Sequence, residues 1–189
     1  DADADALPTV PLAGSGDGVT SSVARRAGYQ DDSASGVPLS TAVLEQTVPL
    51  GFSLHPAGAS TALELLHNVS TPGHPQHLNF LSPSSLRALV SQPEGTARVR
   101  AWLERGGASV VHVGAFGLLL RATAPAAVWQ EMLGVQFGRF VRSDGAVLRA
   151  RGPPHVPPSL SAYIAAVSGL SQLPPPARFR PAGPRPRAA

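Results

Sequence analysis

Three histidines lie close together in the sequence, and histidine is a common ligand of catalytic zinc. His67, His74 and His77 fall within eleven positions, and three imidazoles are enough for such a site. However, His74 and His77 stand in a Pro- and Gly-containing stretch rather than three or four residues apart on one helix, and Glu64 is the only carboxylate nearby. We therefore interpret them as loop histidines and expect neither a metal site nor a cofactor in this chain.

The residues needed for hydrolytic or phosphate chemistry are missing. The turn Gly-x-Ser-x-Gly, which presents an activated serine, does not occur; Gly14-Ser15-Gly16 has two glycines but no strand pattern before it or helix pattern after it. The chain contains no Lys and no Cys, which excludes the Walker phosphate loop and a thiolate nucleophile. The few carboxylates between residues 45 and 144 fit helix surfaces and turns. We expect no catalytic residue, and hence a protein that is not an enzyme by itself.

A nucleic-acid surface is also poorly supported. The nearest approach to one is Phe137, Arg139, Phe140 and Arg142 on a predicted strand. Strand alternation puts Phe137 and Phe140 on opposite faces, so they do not form one stacking platform. The net charge of +3 gives only a weak field.

Two sequence features bear on the compartment of the protein. Asn68-Val69-Ser70 is a glycosylation sequon, which matters only if the protein is secreted. No run reaches the roughly 18 apolar residues needed to span a bilayer, and the acidic opening Asp1-Ala2-Asp3-Ala4-Asp5 is unlike a basic signal peptide. We expect no membrane association.

Charge and composition divide the chain into three parts. Residues 1–32 carry six Asp and two Arg, a net charge of −4, whereas residues 174–189 carry four Arg and no acid. Residues 1–40 have few large apolar side chains and predict a disordered acidic leader. Residues 41–173 hold the apolar periodicity of a domain, and residues 174–189 form a Pro- and Arg-rich linker or tail.

Within residues 41–173, apolar spacing predicts strands and helices in alternation. A strand over 43–54 contains Pro49, which belongs at a sheet edge or at a strand beginning. Helices follow over 59–69, from Ser82-Pro83 to Pro93, and onward to Gly106-Gly107, with Ala62, Leu65, Leu66 and Val69 on one face of the first.

The second half of this domain adds two hairpins and two helices. We predict a hairpin over 110–122, a helix from Pro125 to Gly134, a hairpin turning at Asp144-Gly145, and a last helix from Pro158 to Gly169 that carries Leu160, Tyr163, Ile164 and Val167. Hairpins with helices between them indicate an α+β fold. We expect a ferredoxin-like split βαβ sandwich, its antiparallel sheet covered by helices on one face.

Several segments, in unbroken order, resemble the activation prodomain of sedolisins, the serine-carboxyl peptidases. The resemblance begins with Asn68-Val69-Ser70-Thr71-Pro72 and Leu81-Ser82-Pro83-Ser84-Ser85-Leu86-Arg87-Ala88-Leu89, and continues through Val99-Arg100-Ala101-Trp102-Leu103 to Val167-Ser168-Gly169-Leu170. It spans roughly residues 43–173. It implies a propeptide that assists folding of a peptidase domain, covers its cleft as an inhibitor and is released at acidic pH. The implied partner is a serine-carboxyl peptidase catalytic domain, in cis or in trans, and the implied location is secreted or lysosomal.

The resemblance places no catalytic residue in this chain. The Gly-Thr-Ser nucleophile sequence of the family is absent, since Gly95-Thr96 is followed by Ala97. The tail stands where a zymogen has its linker, so its four arginines are candidate processing positions: Arg178, Arg180, Arg185 and Arg187. Arg121, Arg149 and Arg151, on predicted strands, are candidate contacts with carboxylates of the partner. Protonating those carboxylates would weaken the complex on acidification.

Two alternatives remain open. One is a free-standing peptidase inhibitor or interaction module, which a stop codon after Ala189 would favour over a continuing frame with Gly-Thr-Ser. The other, weaker alternative is an RNA-binding ferredoxin-like domain, which a salt-dependent RNA shift assay would test.

Overall fold

The computed structural model describes residues 10–11, 30–32, 39–142 and 145–171. The predicted tail over 174–189, most of the predicted leader and Asp144 of the predicted turn lie outside these residues. The described part is α+β with antiparallel sheets, which confirms the predicted fold class.

From the strand Thr47–Leu54 to the hairpin that ends at Arg151, the helices and strands follow the predicted order; the prediction of a strand from residue 43 is wrong at its start, because Val43 and Leu44 lie in a short helix. The helices are α1 (Thr41–Leu44), α2 (Ala59–Ser70), α3 (Pro83–Val90), α4 (Pro93–Arg105), α5 (Ala126–Leu133) and α6 (Pro158–Ser161). The strands are β1 (Val10–Pro11), β2 (Gln30–Asp31), β3 (Thr47–Leu54), β4 (Ser109–Val113), β5 (Leu119–Pro125), β6 (Gln136–Arg142), β7 (Gly145–Arg151), β8 (His155–Val156) and β9 (Ile164–Ser168).

The main sheet has four antiparallel strands in the order β4-β5-β3-β9. Along the chain its strands and the helices between them run β3, helices, β4, β5, α5 and finally β9. This is the split βαβ topology of ferredoxin-like folds, with the β6–β7 hairpin, β8 and α6 inserted between α5 and β9.

Alternate residues of β3 and β5 build the core of the domain. Val48, Leu50 and Phe52 are fully or almost fully buried, and their register partners on β5 are Ala124, Ala122 and Leu120. Because the two alanines of β5 are small, space remains between the sheet and the helices, and the Trp129 side chain of α5 fills this space. Its indole Nε1 donates a hydrogen bond to the carbonyl of Val48 at 2.9 Å, so the one polar atom of this buried ring is satisfied.

Local signals in the sequence determine several helix ends. The Ser82 hydroxyl accepts a hydrogen bond from the Ser85 amide at 3.1 Å and caps α3 directly before Pro83. Gly134 ends α5 in the left-handed conformation, with φ at 60°. Pro49 lies in an inner strand, yet β9 pairs with β3 only from Gly51 onward, so Pro49 stands beyond the reach of β9.

The predicted last helix is wrong over most of its length. Only Pro158–Ser161 is helical, whereas Ile164–Ser168 is strand β9. The spacing of Leu160, Tyr163, Ile164 and Val167 fits a helix, but β3 offers an unpaired edge along Gly51–Leu54, and pairing with it satisfies the backbone of this segment.

The second sheet has the strand order β2-β6-β7, and ion pairs connect the leader segment that contains β2 to the other two strands. Gln30 and Asp31 form β2 against β6, and the amide of Asp32, just after the strand, donates a hydrogen bond to the carbonyl of Arg139 at 3.0 Å. Arg151 donates hydrogen bonds to both carboxylate oxygens of Asp31 at 2.7 Å, and Arg139 contacts Asp32 at 3.1 Å. Elsewhere, β1 pairs with β8. Residues 10–11 and 30–32 of the predicted leader therefore pair with strands of the domain.

Candidate functional site

The four-stranded sheet has one face that points away from the core, and we call it the open face. It consists of the residues that alternate with the buried ones: Thr47, Pro49, Gly51 and Ser53 of β3, Leu119, Arg121 and Thr123 of β5, Ser109 and His112 of β4, and Ala166 and Ser168 of β9. Except for Gly51, which has no side chain, all of these residues are exposed or partly exposed. The open face is therefore a surface that a partner can reach.

Small residues keep the middle of the open face flat. Gly51 pairs with Ser168 on one side and with Arg121 on the other. A Cβ atom at Gly51 would lie 2.6 Å from the Ser168 hydroxyl, which donates a hydrogen bond to the Gly51 carbonyl at 3.2 Å. The absence of a side chain lets the Ser168 side chain lie over the strand, so a partner can approach the backbone closely.

Arg121 is the charged group at the centre of the open face. It is exposed, it pairs in register with His112 of β4, and its other neighbour across the sheet is Gly51. The ion pairs among the described residues do not include Arg121, and no acidic residue belongs to this face. The open face is therefore weakly basic, and a partner surface with a carboxylate would complement it.

The other two predicted partner contacts lie elsewhere. Arg149 of β7 is buried, with 3% of its surface exposed, so it has almost no surface to offer to a partner. Arg151 is half-exposed but already bound to Asp31. The structure thus separates the three arginines, and Arg121 alone stands on the open face.

The predicted loop histidines and the sequon lie near the C-terminal end of α2. His67 is on α2, whereas His74 and His77 follow it in the loop, where the His74 ring nitrogen accepts a hydrogen bond from the Gln76 amide at 3.1 Å. Among the described residues, no three acidic or histidine side chains come close enough to hold a metal ion. Asn68 is partly buried and donates a hydrogen bond to the Gln76 side chain at 3.3 Å; its glycosylation stays a prediction.

The aromatic residues considered for RNA binding face inward. Phe137 and Phe140 are 5% and 3% exposed, so neither offers a ring for base stacking. None of the described helices has the length and apolar character required to cross a membrane.

The sequence analysis missed an apolar surface on the segment that carries α2 and α3, residues 59–90, which we call the helical arm. Its large exposed side chains are Leu63, Leu66, Leu78, Phe80 and Leu81. Leu66, which belongs to the predicted apolar face of α2, is 58% exposed. Periodicity shows that an apolar stripe exists but not whether anything covers it. Gly51 and Ser168 were missed as well, because their pairing depends on β9.

Residues 38–173, well over half of the chain, match the family model described as "Pro-kumamolisin, activation domain". No curated protein matches the sequence. The candidate processing arginines of the tail lie beyond both the matched and the described residues.

Proposed function

Because the chain belongs to the family of pro-kumamolisin activation domains, we propose that it folds onto a sedolisin catalytic domain through its open face, assists the folding of that domain and blocks its cleft until acid releases it. The observation that carries this proposal is the family match over residues 38–173, which contain the whole four-stranded sheet. Only an activation domain is detected in the 189 residues, so the catalytic groups belong to the partner.

The shape of the open face supports docking on a folded partner. Its middle row runs His112, Arg121, Gly51, Ser168 from one edge strand to the other. Only two of these four residues have long side chains, so a helix or strand of the partner can lie close to β3 and β9 while Arg121 reaches a carboxylate beside them. Contacts of this kind bury apolar area around one charged pair, which is the usual composition of a specific interface.

Arg121 also supplies the proposed response to acid. A partner carboxylate that pairs with Arg121 has its pKa lowered in the complex relative to the free peptidase. The pair therefore stabilises the complex at neutral pH, and this stabilisation is lost as the pH falls and the carboxylate is protonated.

The experiment measures binding of the full chain to an isolated sedolisin catalytic domain over a pH series, together with hydrolysis of a peptide substrate. We expect tight binding and inhibition near neutral pH, and release on acidification. Arg121→Gln should raise Kd about tenfold, or about 1.4 kcal/mol, and should flatten the pH dependence. Gly51→Leu should weaken binding further by raising a ridge on the open face.

Arg87→Gln is the matched control, because Arg87 is an exposed arginine on α3 and not on the open face. It should bind as the unmodified chain does. If Arg121→Gln and Gly51→Leu both bind and respond to pH like the Arg87→Gln control, the open face is not the docking surface. If the unmodified chain neither binds nor inhibits, the inhibitor function is wrong.

Release also requires cleavage, and we propose that it occurs at one or more of Arg178, Arg180, Arg185 and Arg187, in a secreted or lysosomal compartment. The support is the position of these arginines after the matched domain. Mass spectrometry of the products formed with the peptidase at acidic pH tests this. We expect termini at these arginines, and replacing all four by Gln should abolish them.

A further inference from the structure

A loop of twelve residues, 71–82, joins the two helices of the helical arm, and the structure describes all of it without a helix or strand. Ten of the twelve residues are exposed and none is buried, so packing against the core does not fix the loop. Loops of this length are uncommon in compact domains and usually have a function. Exposed loops are also the segments that proteases cut first.

Two large apolar side chains are adjacent near the end of this loop. Phe80 is 68% exposed and Leu81 is 42% exposed. Among the aromatic side chains that the structure describes, only Phe80 is exposed. An endopeptidase with apolar subsites recognises its substrate by such side chains on the two sides of the bond that it cuts. The Phe80–Leu81 bond therefore has the side chains of a substrate.

The backbone at this bond is available as well. The Phe80 amide donates a hydrogen bond to the Leu78 carbonyl at 3.1 Å. Within the described part of the chain, the Phe80 carbonyl and the backbone of Leu81 make no hydrogen bond. A peptidase that binds an extended substrate through its main chain therefore breaks one turn contact here, and not a helix or a sheet ladder.

The turn before the bond is strained. Leu78 has φ 63°, the one positive φ among the described residues other than glycine, and its amide donates to the Val69 carbonyl at 3.0 Å. This conformation is unfavourable for leucine because Cβ comes too close to the following carbonyl oxygen. Drawing the loop into a peptidase cleft breaks the contact with Val69 but relieves the strain at Leu78, which lowers the cost of opening.

Phe116, in the turn between β4 and β5, shows what a protected phenylalanine looks like. It is partly buried, and the Gly117 amide after it donates to the Gly114 carbonyl at 2.8 Å. The Thr96 hydroxyl also donates to the Gly117 carbonyl at 2.8 Å and ties the turn to α4. A phenylalanine in a connecting segment is therefore not sufficient for cleavage. Phe80 combines exposure with a backbone that is not held.

A cut at Phe80–Leu81 divides the main sheet between two pieces of chain. The strand β3 lies before the cut, whereas β4, β5 and β9 lie after it. Because β3 is an inner strand that pairs with β5 and β9, both of its pairings then join separate molecules. A covalent link provides an effective concentration of roughly 1 mM, so its loss at micromolar protein weakens the association of the pieces about a thousandfold.

We propose that the Phe80–Leu81 bond is a cleavage site for an endopeptidase with apolar subsites, and that this one cut makes the domain dissociate. The cut consumes one water: a C–O bond forms at the Phe80 carbonyl carbon, the C–N bond to Leu81 breaks, and the products are a carboxylate on Phe80 and an amine on Leu81. The inference concerns this domain alone and does not rest on the proposed peptidase partner.

Chymotrypsin, which has a hydrophobic slot for the residue before the bond, is a suitable probe of the site. The full chain is treated briefly with a small amount of chymotrypsin, and the products are identified by mass spectrometry. We expect the first cut within residues 39–142 and 145–171 to fall after Phe80. Phe80→Ser should slow this cut at least about tenfold, and Phe80→Tyr, the matched control, should preserve it.

Leu81→Pro is an independent test of the same bond. A proline directly after the bond prevents cleavage, and it removes no backbone hydrogen bond because the Leu81 amide makes none within the described residues. We expect the variant to resist the cut after Phe80. Its far-UV circular dichroism should equal that of the unmodified chain; if it does not fold, Phe80→Ser alone decides the test.

The consequence of the cut is tested by dilution. The chain cut after Phe80 is purified at high concentration without denaturant and then diluted. We expect its two pieces to run together in gel filtration at high concentration, and to separate and lose their circular dichroism on dilution. The control is the Phe80→Ser chain after the same treatment. Cuts after Tyr29 or Phe179 leave β3, β5 and β9 on one piece, so the control should stay folded.

Three results would overturn the inference. The first is an initial cut after another of the described residues, such as Phe116. The second is cleavage of Phe80→Ser between α2 and α3 at the rate of the unmodified chain. The third is a cut chain that stays associated and folded at every dilution at which the control does.

Discussion

The two pairs of helices in this domain differ sharply in what they bury. α4 buries Val99 and Leu103, and α5 buries Ala126, Trp129 and Leu133. In the helical arm, the twelve residues of α2 bury only Val69, and α3 buries no residue fully. All four helices have an apolar stripe. An apolar stripe on a helix is therefore not sufficient for burial. The stripes of α4 and α5 are buried because the sheet packs against these two helices.

The largest difference in the free energy of unfolding is expected when the same substitution, Leu to Ala, is made in each of the two regions. Leu103→Ala removes a fully buried side chain from α4 and should lower the free energy of unfolding by about 2–5 kcal/mol. Leu66→Ala, at 58% exposure in the arm, should change it by no more than about 0.5 kcal/mol. Urea unfolding followed by circular dichroism measures both. Equal losses would show that the arm is packed as tightly as the core.

Glycines with positive φ provide a second matched pair. Gly134 ends α5 at φ 60°, and Gly73 lies in the arm loop at φ 84°. An alanine in this conformation costs about 1–2 kcal/mol. We expect Gly134→Ala to lose this amount in global unfolding, because α5 is fixed by the core. Gly73→Ala should lose less, because the exposed loop can change its backbone; a loss equal to that at Gly134 would contradict this.

Removing the cap of α3 should loosen the arm without unfolding the domain. Ser82→Ala leaves the Ser85 amide without its acceptor and should cost about 1 kcal/mol. Hydrogen exchange is the suitable measurement, because we expect faster exchange confined to the backbone amides of α3 after Pro83. Faster exchange in β3 or α5 as well would mean that the arm and the core unfold together.

The smallest effect concerns an exposed ion pair on α4. Arg100 and Glu104 contact at 2.8 Å with about half of each side chain exposed. Arg100→Gln should reduce stability by about 0.3–0.5 kcal/mol at low salt, and less as salt is added. Thermal unfolding at two salt concentrations measures this. If the loss of stability does not depend on salt, the contribution of Arg100 comes from packing of its aliphatic chain and not from its ion pair with Glu104.

The predictions from sequence succeeded where an element depends on residues close to it in the chain. They failed where an element depends on a strand that is distant in the sequence. The structure confirms the predicted helix ends at Ser82 and Gly134 and the predicted alternation in β3. All three depend on neighbouring residues in the chain. Ile164–Ser168 was predicted as helix because its spacing suits one, yet it pairs with β3 more than a hundred residues away. Arg149 was proposed as a partner contact because the predicted domain carries an excess of arginine; the structure buries it, and its contact with a partner stays a prediction.

The amino-acid sequence alone determined that these 189 residues contain no Lys, no Cys and no Gly-x-Ser-x-Gly turn, and it also determined the alternation that forms the core and the resemblance that identified the family. Tertiary structure alone decided that Arg121 stands on an open face beside Gly51, that Arg149 is buried and that Leu66 remains exposed. The reason is physical: side-chain chemistry and helix caps act over a few residues, whereas burial depends on which faces meet after the chain has folded.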